Sequence, residues 1–111
     1  ELEKQKSEND YLTYLNDLRV QVELIRKSIM NYSEIIPINQ DVVASAEEDL
    51  KLVQKRYSIG SATILEVLDA QVSLIRSNST LINTIHDARM QEMSLKALLG
   101  ILDLEYQTKE E

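Results

Sequence analysis

The chain has 111 residues, a net charge of −7, 43% hydrophobic and 5% aromatic content, two glycines, one proline and no cysteine. That length holds at most one ordinary domain, and five Tyr without any Phe or Trp do not fill a thick globular core. The acidic balance excludes a basic stripe for nucleic acid or anionic lipid, and the lack of thiols excludes disulfides and thiolate metal sites.

The opening Glu1 to Lys6 lacks the apolar core of a signal peptide. No run of about 18 apolar residues is present to span a bilayer as a helix. An exported parent protein would therefore carry this chain as an internal piece.

From Tyr11 onward the apolar residues fall in a 4-3 spacing that keeps its phase. The series is Tyr11, Leu15, Leu18, Val22, Ile25, Ile29, Tyr32, Ile36, Asn39, Val43, Ala46, Leu50, Val53 and Tyr57. A seven-residue repeat held this long predicts a supercoiled helix with a narrow seam, over about residues 5–59. Before Tyr11 the seam positions are Lys4 and Glu8, so that end is expected to fray or to need another partner. Asn39 interrupts the seam with an amide, a residue that fixes register at some cost in stability. Pro37 costs about 3 kcal/mol inside a helix. The heptad phase is nevertheless unchanged across it, which predicts a kinked but continuous helix. Lys55 and Arg56 close the helix where cations complement its negative end.

Gly60 suits the left-handed position just past a helix end. Thr63-Ile64-Leu65-Glu66 then reads as a capping box, so the tip is residues 60–62. So short a link forces the helices antiparallel. The second helix is expected over about 63–102, with a polar tail at 103–111. Val67, Leu74, Leu81, Ala88, Leu95 and Leu102 repeat every seven residues. Leu68, Ile75 and Ile82 form a second row, and Ile64, Ile85 and Leu99 belong to a third. Between Asp69 and His86 the only charge is Arg76, and Ser, Thr and Asn fill seven of the other fifteen positions. Such a surface predicts helices on more than one side, or a sheltered face. The fold class is all-α: a long antiparallel coiled-coil hairpin that forms one stave of a larger α-barrel.

No catalytic constellation is found, and neither a metal site nor a cofactor is indicated. His86 is the only histidine, and no Ser or Cys partner stands at helical spacing from it. Asp87 and Glu92 are not at metal-ligand spacing with it. Met90 and Met93 suit packing, and Glu47-Glu48-Asp49 reads as a solvated face. Glu66 and Asp69 lie three apart on one helix face just inside the tip. Acids in a first helical turn are favoured by the dipole, which accounts for Glu66 better than for Asp69. In an oligomer the pair would multiply into a ring of carboxylates, a feature that selects cations in pores.

The stretch Tyr57-Ser-Ile-Gly60-Ser61-Ala62-Thr63-Ile-Leu-Glu66-Val-Leu-Asp69-Ala-Gln71 resembles the second hairpin tip of TolC-type outer-membrane efflux factors. Those carry a Tyr-x-x-Gly-x-x-Thr/Ser-x-x-Asp/Glu-Val-Leu-Asp-Ala pattern. The likeness extends from about Ile25 to Leu102, with the tip as its specific part. It implies a trimer with a β-barrel in the outer membrane and a helical tunnel in the periplasm of a diderm bacterium. Tyr57, Gly60, Ser61, Ala62 and Thr63 would belong to the periplasmic entrance, and Glu66 and Asp69 would line it. The implied partners are a periplasmic adaptor protein and an inner-membrane pump or secretion ATPase. Ala62 stands where some members place an Arg that ties the closed entrance, so that tie is expected to be absent. In the family the second helix ends near the tunnel's midpoint, which would leave Tyr11 to about Leu18 without a partner in the chain. The alternative readings are the hairpin of an adaptor protein, whose usual Arg-Leu-rich tip is missing, and a purely structural coiled coil.

Overall fold

The computed structural model describes residues 1–110. Among the described residues there are two helices: α1 spans Leu2–Ser58 and α2 spans Ile64–Glu110. They contribute to two compact units, one of Glu1–Met30 with Arg89–Glu111 and one of Asn31–Ala88.

The second unit is an antiparallel hairpin closed by the link between Ser58 and Ile64. Along α1 the heptad positions turn inward: Tyr32, Ile36, Asn39, Leu50 and Val53 are half-buried, and Val43 and Ala46 are buried. α1 is helical straight through Pro37, in keeping with the unbroken phase. On α2, Val67 is buried and Leu74, Leu81 and Ala88 are half-buried. The alternating inward positions are Ala70, Ser77 and Thr84, all half-buried. A side-chain bond across the seam marks the register: Asn39 Nδ2 donates to Thr84 Oγ1 at 3.1 Å. Stepping seven residues in opposite directions from that pair opposes Ala46 to Ser77 and Val53 to Ala70. Such small residues let two helices approach closely but bury little apolar area.

Of the apolar rows on α2 the first turns inward and the second does not. Leu68, Ile75 and Ile82 are 48%, 64% and 65% exposed, and Ile64 and Leu99 are also exposed. Only Ile85 of the third row is half-buried. One neighbouring helix covers a stripe about 100° wide, and the rows beyond it have nothing to pack on within the chain.

In the first unit Leu18 is the most buried position at 6% exposure. Tyr11, Leu15, Val22, Ile25 and Ile29 are half-buried on α1, as are Gln91, Leu95, Leu98 and Leu102 on α2. The structure differs here from the expected overhang and polar tail. α2 runs on through Gly100 to Glu110 and so stays beside the early part of α1. Residues 1–10 are all exposed, although the helix begins at Leu2. Among the described residues no helix is long and apolar enough to cross a membrane.

Candidate functional site: the hairpin tip

The tip forms from local chemistry at two helix ends. Gly60 has φ +78°, the only positive φ among the described residues. A Cβ at that φ is strained, so glycine is the natural occupant. Its N–H donates to Tyr57 C=O at 3.0 Å, and Ser61 N–H donates to Arg56 C=O at 2.7 Å. This pair of bonds is the Schellman ending, which satisfies carbonyls that the helix leaves open. Ser58 Oγ donates to Lys55 C=O at 2.6 Å, and Arg56 Nη2 donates to Ser61 C=O at 3.1 Å.

Three residues on, α2 starts with a reciprocal cap. Thr63 N–H donates to Glu66 Oε2 at 2.9 Å, and Glu66 N–H donates to Thr63 Oγ1 at 3.3 Å. Val67 N–H then makes the first helical bond, to Thr63 C=O at 3.3 Å. Its side chain is 7% exposed, so the buried core begins one residue after the capping box ends.

Gly60, Ser61, Ala62 and Thr63 lie in the link between the two helices, and Tyr57 stands in the last turn of α1. Gly60, Ser61 and Thr63 are exposed and Ala62 is half-buried. Tyr57 holds a seam position yet is 48% exposed, because it stands in the last turn of α1, one residue before the helix ends at Ser58, where the seam runs out. The two acids separate in role. Glu66 is engaged in the cap, whereas Asp69 is exposed and its carboxylate has no hydrogen-bond or ion-pair partner among the described residues. Ile59 and Leu65 are 79% and 68% exposed, and the periodicity of either helix gave no special notice of them. Arg56 was legible only as a cation near a helix end; its bond to Ser61 was not. Among the described residues no group of three or more His, Cys, Asp or Glu is placed to hold a metal ion. His86 is exposed.

The description "Outer membrane efflux protein" matches residues 3–101. The chain belongs to that family. It is 32% identical over 85 residues to the outer membrane protein TolC of Escherichia coli (strain K12), covering 74% of this chain and 17% of TolC. The TolC of Salmonella enteritidis matches over the same extent at the same identity. The chain thus spans about a sixth of the length of these efflux-family relatives. No solved structure matches it significantly. The tip has local causes in the two helix ends, whereas the outward apolar rows have no packing partner within the described residues.

Proposed function

We propose that this chain is a periplasmic stave of the α-barrel of an outer-membrane efflux or secretion channel, with its tip forming the entrance that docks an adaptor protein. The observation that carries the reading is a second set of heptad-spaced apolar residues on the outer faces of the hairpin. On α2 it is Leu65, Leu68, Val72, Ile75 and Ile82, and on α1 Ile35, Ile38, Val42 and Leu52, each between 41% and 68% exposed. A hairpin that worked alone would carry charge there, whereas a stave needs neighbours on both sides. The two rows lie on different helices, so the contact is between unlike surfaces, the kind that closes a ring.

The parent is then a homotrimer whose other segments supply the membrane barrel. Its partners are a periplasmic adaptor and an inner-membrane pump or secretion ATPase. The stave performs no chemistry and holds no cofactor. Tyr57, Gly60, Ser61, Ala62 and Thr63 present the docking tip. Asp69, free of any folding duty, and Glu66 beside it supply carboxylates facing the pore once subunits assemble.

Site-specific crosslinking in the full-length protein tests this. A cysteine at Ser61 or Ala62 should capture the tip of a periplasmic adaptor. Capture of unrelated proteins alone, or a full-length sequence without membrane strands, would remove the channel reading in favour of an adaptor or a structural coiled coil.

A further inference from the structure

Ser61 is bound at both of its backbone polar atoms by one residue. Its N–H donates to Arg56 C=O at 2.7 Å, and its C=O accepts from Arg56 Nη2 at 3.1 Å. This helix ending is frequently accompanied by an apolar contact between the same two positions. Arg and Ser supply none, and a charge-assisted bond stands in its place.

The clasp encloses Tyr57, Ser58, Ile59 and Gly60, none of which is buried. Ile59 is 79% exposed, so packing does not fix how it is presented. Ser61 also stands two residues before Thr63, the cap of α2. One guanidinium therefore ties the exit of α1 to the entry of α2.

We propose that Arg56 is the positioning residue of the docking tip, holding residues 57–62 in one conformation for the partner protein. This rests on the docking reading above and adds the residue that preorganises the surface. A segment already ordered loses less conformational freedom when it binds, so the clasp favours capture without touching the partner. Lysine can reach the same carbonyl from a flexible stem with a compact head, so it should hold the link less well.

The test uses the full-length protein with Arg56→Ala and Arg56→Lys, and Lys55→Ala as control. Lys55 shares the cationic end of α1 with Arg56 but bonds within the tip through its backbone C=O, which accepts from Ser58, so its replacement controls for the loss of one charge. Two readouts are taken: amide hydrogen exchange at Ser61, and crosslinking of an Ala62→Cys tip to a periplasmic adaptor. Arg56→Ala should speed exchange at Ser61 about three- to tenfold, the range expected for one net hydrogen bond, and lower the crosslink yield. Arg56→Lys should recover part of both, Lys55→Ala should move neither, and exchange from Val43 to Val53 should stay as it was. Unchanged exchange at Ser61 in Arg56→Ala overturns the clasp. Faster exchange with undiminished crosslinking overturns its role in docking. Failure of the docking reading itself shows differently: Arg56-containing protein gives no adaptor crosslink while Ser61 remains protected, and the docking role of Arg56 falls with it.

Discussion

Asn39 and Thr84, 45 positions apart, meet across the hairpin seam, with Asn39 Nδ2 donating to Thr84 Oγ1 at 3.1 Å. The hydroxyl both accepts and donates, because Thr84 Oγ1 also donates to Thr80 C=O at 2.8 Å. Thr84→Val removes the acceptor and leaves a half-buried amide unpaired, at a cost of about 1–2 kcal/mol. The double variant Asn39→Leu/Thr84→Val removes both polar groups and should regain most or all of that stability. Urea unfolding of the four proteins gives the coupling, expected at about 0.5–1.5 kcal/mol. Additive losses would show that the bond does not set the register.

The two glycines should respond with opposite signs when changed to alanine. Gly60 has φ +78°, and although no atom lies within 4 Å of a Cβ there, the backbone itself is strained for an L-residue. Gly60→Ala should cost about 1–2 kcal/mol. Gly100 sits inside α2 with nothing within 4 Å of a Cβ. Gly100→Ala should therefore stabilise by about 0.5–1 kcal/mol, since glycine is a poor interior helix residue. Thermal unfolding checks both, and a destabilising Gly100→Ala would mean that the helix does not run through that point.

Much of this was legible in the sequence, for identifiable reasons. The seam of α1 could be read residue by residue because a heptad repeat has one inward face, and from Tyr11 to Val53 each position of the series is at least half-buried. The tip could be read because Gly60 and the Thr63-Glu66 pair have local causes. The inward face of α2 was harder. The row Val67, Leu74 and Leu81 points in together with small or polar residues such as Ala70, Ser77 and Thr84, while the equally apolar row Leu68, Ile75 and Ile82 points away. Hydrophobic periodicity cannot rank two apolar stripes on one helix when one of them has its partner outside the chain. The Arg56–Ser61 bond was hidden for another reason, since a side chain folding back on a turn leaves no periodic trace.

The acids near the tip should separate folding from pore function. Thr63→Ala deletes the hydroxyl of the cap and should cost about 1 kcal/mol. Glu66→Gln keeps an acceptor for Thr63 N–H but gives up a charge at the positive helix end, a loss of roughly 0.3–1 kcal/mol. Asp69→Asn should stay within about 0.5 kcal/mol, as for other exposed changes without a partner. In the assembled channel the order reverses: Asp69→Asn should lower cation selectivity, read as a shift of reversal potential in planar bilayers. Unaltered selectivity in both Asp69→Asn and Glu66→Gln would dispose of the carboxylate ring.

Substitutions in the outward rows should leave the stability of the hairpin alone and abolish assembly. Ile75 and Ile82 are 64% and 65% exposed, so changing both to Ser removes little burial from the chain itself, and its unfolding midpoint should move by an amount worth about 0.5 kcal/mol or less. Within a ring of staves each buried isoleucine would contribute about 1.5–3 kcal/mol per copy, and a trimer loses that contribution three times. The full-length double variant should therefore run as monomer where the unsubstituted protein runs as trimer, by light scattering in detergent. Leu74 gives the counter-test. It is half-buried in the seam, so Leu74→Ser should unfold the hairpin before assembly is in question, costing about 2–4 kcal/mol. Should Ile75→Ser/Ile82→Ser instead lower the stability of the isolated chain as much as Leu74→Ser does, those side chains would belong to its own core and the outward rows would lose their assignment.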